Sequence, residues 1–142
     1  MTQQNKTIEI HIPSNMGYEK IAMESGAAVA KLMLFSDDRI NDLKTAIAEA
    51  CMNAIEHGNK TSPTEKVFVT LTVDDSKLQI DVKDKGKPFA PVTDKPDIKE
   101  KIEGKEETRG WGMFLIKNLV DEVEFSSQPE GNTTRMIIYL HK

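Results

Sequence analysis

Glu49 and Asn53 stand four residues apart in the run Glu49-Ala-Cys-Met-Asn53-Ala-Ile-Glu-His57-Gly58. On a helix this spacing stacks them one turn apart on a stripe with Asp42 and Glu56, roughly 120° from the apolar face of Leu43, Ile47, Ala50 and Ala54. A carboxylate at such a place could accept the proton of an attacking hydroxyl. An amide oxygen beside it could hold a hard cation such as Mg²⁺ without adding charge, because that ion takes oxygen ligands and keeps several waters. Taken alone, the stripe reads more simply as a solvated polar face.

Two further runs follow in the chain. In Asp84-Lys-Gly86-Lys-Pro-Phe89 an aspartate ends an apolar alternation, and Gly86 lets backbone approach where any side chain would block it. Such an aspartate can accept a hydrogen bond from an exocyclic amine like that of adenine, although Asp-Lys-Gly is also a plain turn signal. In Arg109-Gly110-Trp111-Gly112-Met113 two glycines are expected to precede a helix, so that their N–H groups and the helix N-terminus face an anion, with Arg109 adding charge. By itself this run is equally a helix start. Thr133 and Thr134, after Gly131, could bring a hydroxyl to a base or simply satisfy strand propensity. The chain contains no G-x-x-x-x-G-K-[ST] run and no G-x-G-x-x-G after a strand, so P-loop and dinucleotide readings fail on pattern. In this order the runs describe a nucleotide site.

The elements that would position them fit in one domain, since 142 residues lie within the roughly 100–200 residues typical of one. A net charge of −4 from 19 basic and 23 acidic residues, with no basic stripe interleaved with aromatics, argues against nucleic acid as a partner. No apolar stretch approaches the roughly 20 residues of a membrane span, and the first residues hold no apolar signal core, so a soluble cytoplasmic protein is expected. Cys51, the one cysteine, sits within an apolar helical pattern and reads as core. His11, His57 and His141 have no companion cysteine at ligand spacing, which leaves a zinc site with little support.

Alternation over Lys6 to Ile12, closed by Pro13, predicts a first strand. A helix capped by Ser14 or Asn15 follows to about Phe35, weakened but not ended by Gly26. A second helix, capped within Ser36-Asp-Asp-Arg, carries the Glu49 motif over Ile40 to His57 and stops at Gly58-Asn59. Glu65 to Val73 and Lys77 to Lys83 form a hairpin around Asp74-Asp75-Ser76. Lys85 to Thr108, with three prolines, two glycines, six lysines and six acidic residues, keeps no apolar period and reads as a long functional loop, with a short helical turn near Ile98 to Ile102. A helix over Trp111 to Val120 precedes strands Glu122 to Ser126 and Thr133 to His141. The irregular alternation of strands and helices predicts an α+β two-layer sandwich, a mixed, mostly antiparallel sheet with helices on one face.

Glu49-x-x-x-Asn53-Ala-x-x-His57-Gly58, Asp84-x-Gly86-x-x-Phe89, Gly110-x-Gly112 and Gly131-x-Thr133-Thr134 resemble the N, first glycine, second glycine and threonine boxes of the Bergerat ATP-binding fold. The resemblance covers nearly the whole chain, and the Asn-Ala-x-x-His-Gly form is most similar to bacterial anti-sigma-factor serine/threonine kinases. It implies Glu49 as general base, Asn53 as the Mg²⁺ ligand, and Asp84 on the adenine amine, with Gly86 making room and Thr133 or Thr134 assisting through water. Arg109, Gly110 and Gly112 would contact phosphates as a lid over about 85–108 closes, with Phe89, Trp111 and Met113 in the same nucleotide-binding runs. His57 would cap or orient the helix end. Met113 stands where leucine is common in the family, and Trp111 is bulkier than its pattern.

The function implied is transfer of the ATP γ-phosphoryl group to a serine or threonine of an anti-sigma-factor antagonist of the STAS type, with separate sequestration of a sigma factor, by a homodimer. A regulatory module that binds ATP and a partner without phosphorylating it is the alternative. Glu49 favours the kinase, since a pure binder needs no base there. A detached sensor histidine kinase domain is a third reading, weakened because only about 36 residues, a strand among them, precede the motif helix.

Overall fold

The computed structural model describes residues 5–86 and 105–141. Alternating apolar residues build five strands, β1 (Lys6–Pro13), β2 (Lys66–Val73), β3 (Lys77–Lys83), β4 (Glu122–Gln128) and β5 (Gly131–Tyr139). They form one sheet in the order β1-β2-β3-β5-β4. Every neighbouring pair is antiparallel, so the mixed sheet expected from sequence is fully antiparallel among the described residues. Period-2 alternation sends Val67, Val69 and Leu71 of β2, Leu78, Ile80 and Val82 of β3, and Met136 and Ile138 of β5 to one buried face. Among the described residues three α-helices, α1 (Glu19–Leu32), α2 (Asp37–Asn53) and α3 (Lys105–Leu119), accompany the sheet. α2 packs between the other two, touching both.

The apolar face foreseen for α2 is the face it buries: Leu43, Ile47, Ala50 and Ala54 are all at most 4% exposed and join one core with the sheet. Ser36 caps this helix, its hydroxyl accepting from the Arg39 N–H at 3.3 Å. The Arg39 guanidinium then ties the same end to the far sheet edge, donating to Asp121 at 2.7 Å and to the Tyr139 carbonyl at 2.9 Å. Cys51 lies in the core with its thiol pushed up to about 12 by burial and, secondarily, by Glu19.

α1 begins later than its candidate caps. Its N-cap is Tyr18, with no side-chain cap. Ser14 is drawn away by tertiary structure: its hydroxyl donates to the Glu65 carbonyl at 2.5 Å and accepts from Asn59 at 2.9 Å. α1 ends in a Schellman turn, the Phe35 N–H reaching the Ala30 carbonyl and the Leu34 N–H that of Lys31, with Leu34 at φ 68° in the left-handed region. Leu34 is 85% exposed. No helix among the described residues is long and apolar enough to cross a membrane.

Candidate functional site

Glu49 and Asn53 lie on the edge of α2, half-buried, as the helical stripe requires. Burial raises the Glu49 carboxyl above its ordinary value, the direction that makes a carboxylate a better proton acceptor near neutral pH. α3 crosses α2 here. A Cβ placed on Gly112 would stand 3.0 Å from Glu49 Oε2 and 3.1 Å from Asn53 Nδ2. The first and third sequence runs therefore meet, and only hydrogen at position 112 leaves the two polar side chains their present places.

The α-helical pitch of α2 does not continue through the end of the motif. Ala54–Gly58 forms a π turn, with the Asn59 N–H donating to the Ala54 carbonyl at 2.8 Å. Single π turns often mark functional positions. This one swings Gly58 against Asp84, where a Cβ on Gly58 would lie 2.2 Å from the carboxylate. Gly86 closes the other side, a Cβ there falling 2.1 Å from the Gly58 carbonyl. Beneath, Gly131 adopts φ +152°, and a Cβ would meet the Asp84 carbonyl at 2.0 Å. Gly58 and Gly131 thus make room for Asp84, and Gly86 makes room for the Gly58 backbone.

Asp84 is 6% exposed, so its charge needs donors. Its Oδ1 accepts from the Gly86 N–H at 2.8 Å, the Asn132 N–H at 3.3 Å and Asn132 Nδ2 at 3.0 Å. Asn59 braces the same turn from behind: its Oδ1 accepts from the Lys85 N–H at 2.7 Å, and its Nδ2 donates to Ser14 and to the Lys66 carbonyl. A cleft of about 290 Å³ opens beside Asp84, bordered by Phe68, Lys83, Lys85 and Thr133. A hollow of similar size, about 310 Å³, lies between the end of α1 and the outer end of β1, away from every motif residue.

The two threonines separate by sheet register. Thr133 pairs with Lys83 and Thr134 with Val82. Directly opposed residues share a face, so Thr134 lies on the helix-covered side with Val82, and Thr133 on the open side with Lys83.

One expectation is corrected. α3 begins at Lys105, so Gly110 and Gly112 lie within the helix instead of preceding it, and Arg109 and Trp111 follow the same helical backbone. At such positions an α-helix commits each N–H to the carbonyl four residues back. The cause is local composition: Lys105-Glu-Glu-Thr-Arg109 consists mostly of strong helix formers with acidic residues in the first turn. The last four residues expected in the lid are therefore helical, while Phe89, the turn near Ile98 to Ile102 and the remainder of the lid beyond Gly86 lie outside the described residues. Met113 is buried, at 1% exposure.

Asn132 and Asn59, at 3% and 6% exposure, are site residues that sequence reasoning missed. Each stands beside a glycine, where asparagine is an ordinary turn residue, and only their burial marks them as different.

Comparison with known proteins agrees with this arrangement. Residues 12–138 match the family model of the histidine kinase-like ATPase domain. The chain is 31% identical over 143 residues to the serine-protein kinase RsbW of Bacillus subtilis, covering 94% of this chain and 86% of that protein. It is 32% identical to the RsbW of Bacillus pumilus, covering 100% and 91%. Among solved structures, that of the RsbU and RsbW domains of Rv1364c from Mycobacterium tuberculosis superposes with a TM-score of 0.68 at 17% identity, covering 95% of this chain and 32% of that one, a likeness of fold.

Proposed function

Since the chain belongs to the histidine kinase-like ATPase domain family, we propose that it is an ATP-dependent protein-serine/threonine kinase and anti-sigma factor. Its substrate would be a serine or threonine of an anti-sigma-factor antagonist, and it would separately hold a sigma factor, working in the cytoplasm as a homodimer of single-domain subunits. Relatives at 31–32% identity that carry the name serine-protein kinase support this reading. The observation that carries it is the meeting of Glu49, Asn53 and Gly112, a proton acceptor and an oxygen ligand beside a bare stretch of helix.

The adenine would enter beside Asp84, its 6-amino group donating to the carboxylate, with Thr134 assisting from the same face of the sheet. The triphosphate would run along α2 toward Asn53 and Glu49. Arg109 would meet the phosphates, and Gly110 and Gly112 would let them approach the helix surface closely, with Trp111, Met113 and the lid that contains Phe89 beside them. Among the described residues no three His, Cys, Asp or Glu side chains gather into a protein-only metal cage. The donor set near Asn53 suits Mg²⁺ held by one amide oxygen together with phosphates and waters. When bound, that ion would neutralise charge on the phosphates. In the transfer, the substrate hydroxyl oxygen forms a bond to the γ-phosphorus, the bond from that phosphorus to the β–γ bridging oxygen breaks, ADP leaves, and Glu49 takes the hydroxyl proton.

The test is transfer of label from γ-labelled ATP to the cognate antagonist, with ATP binding followed in parallel by calorimetry and by Trp111 emission. Wild-type protein should transfer label, Glu49→Ala should bind ATP without transferring, and Asp84→Asn should bind ATP measurably but much more weakly. Transfer that survives Glu49→Ala refutes the base assignment. ATP binding without any transfer by the wild type returns the reading to a non-catalytic ATP module.

A further inference from the structure

A carboxylate at the end of a strand turns easily about its last torsion, so an aspartate that reads a base needs its plane fixed. Asn132 supplies that constraint. Its Nδ2 donates to Asp84 Oδ1 at 3.0 Å, its backbone N–H donates to the same oxygen at 3.3 Å, and its carbonyl accepts from the Asp84 N–H at 3.0 Å. The amide is in turn oriented from the far side, because the Ser127 hydroxyl donates to Asn132 Oδ1 at 2.8 Å. A flipped amide would set carbonyl oxygen against carboxylate and its NH₂ against the hydroxyl, losing the bond to Asp84. Ser127 lies on β4 and pairs across the sheet with Asn132 on β5, and Asp84 follows β3. The three side chains form a relay across three adjacent strands.

We propose that Asn132, oriented by Ser127, is a positioning residue for purine recognition: it holds the Asp84 carboxylate in the one plane that accepts the 6-amino group of adenine, and so sets selectivity for adenine nucleotides. The inference rests on the reading of Asp84 as the adenine anchor. Asn132 acts through Asp84 and does not touch the nucleotide. Its side chain is 3% exposed, and the bond it makes to a buried carboxylate is of the kind whose loss is felt most.

The experiment compares two probes, MgATP and the magnesium complex of purine riboside triphosphate, which differ only by the 6-amino group. Calorimetric titration of the whole chain should show a preference for ATP in the wild type. Asn132→Leu should weaken ATP binding about tenfold, the scale of one hydrogen bond to a charged group, and leave the analogue within about twofold, so that the preference collapses. Ser127→Ala should shift the preference in the same direction by about threefold, as loss of one neutral hydrogen bond would. It carries the test if Asn132→Leu proves unfolded by circular dichroism. In an Asp84→Asn background Asn132→Leu should have no further effect. Equal weakening of both probes, or additive effects in the double variant, would make Asn132 a structural strut and overturn the inference while leaving the Asp84 reading intact. An unchanged preference in Asp84→Asn alone would overturn the anchor reading and this inference with it.

Discussion

Gly112→Ala separates stability from chemistry at one atom. Position 112 lies inside α3, where alanine is favoured over glycine by about 1 kcal/mol. The added methyl would meet Glu49 Oε2 at 3.0 Å, Asn53 Nδ2 at 3.1 Å and Asn53 Oδ1 at 3.4 Å. These are ends of half-buried, rotatable side chains, so the contacts can be relieved by small rotations that leave most of the propensity gain. For a chain of this size the melting temperature should rise by about 3 °C. The rotations would carry the carboxylate and amide by a few tenths of an ångström, however, and since a misplacement of about 1 Å costs about a hundredfold in rate, a loss of roughly several-fold is expected. Gly26→Ala is the contrasting control, because its Cβ would lie 2.3 Å from Ile47 Cδ1, and Ile47 is fully buried in the core. Overpacking there costs about 1–3 kcal/mol against the same propensity gain, so its melting temperature should fall. Thermal melts followed by circular dichroism and label-transfer rates, measured on both variants, make the comparison. A Gly112→Ala protein that melts several degrees lower, or that transfers phosphate at the wild-type rate, would refute the reasoning.

Because burial raises the Glu49 carboxyl, the acidic limb of the transfer-rate profile should lie above the ordinary glutamate range, and a limb at ordinary values would argue against Glu49 as base. A raised folded-state value favours the folded form below the unfolded value, a benefit lost as pH rises through the folded-state value. Glu49→Gln should therefore leave the melting temperature at pH 7 unchanged or higher while abolishing transfer. Gly58→Ala forces a methyl to 2.2 Å from a carboxylate held by three donors; it should cost about 1–3 kcal/mol and abolish ATP binding, as urea unfolding and calorimetry would report. Leu34→Gly relieves a left-handed residue at φ 68° that is 85% exposed, and a gain of about 0.5–1 kcal/mol is expected in the same unfolding assay.

The sequence made the sandwich legible because its elements bury one face each. On α2 the 3.6-residue period of Leu43, Ile47 and Ala50 named the face that reaches the core, and with it the polar edge bearing Glu49 and Asn53. Alternation on β2 and β3 did the same for the sheet. Reading failed where a tertiary hydrogen bond or a composition without apolar period decided the outcome. Ser14 had the chemistry of a cap, but a carbonyl 51 residues away took its hydroxyl. The start of α3 carries helix-forming residues but no apolar period, so periodicity placed it six residues late. Asn132 looks like any turn asparagine until β3 and β5 are side by side. Thr133 and Thr134 became distinguishable only when the register gave each a face.

One rod carries Glu49 at its middle and, through its wider last turn, delivers Gly58 to the flank of Asp84. Nine positions separate those two residues, the first four at the α-helical rise of about 1.5 Å each and the rest through the π turn. On the proposed reading the span between the purine end and the reacting end is therefore gauged along one helix, whose far end meets Asp84 in the turn after β3. Inserting or deleting a single residue along 50–57 would rotate one jaw by about 100° relative to the other. On that reading a tail one phosphate too short would leave the far jaw empty, and spent nucleotide would differ from fresh by length alone.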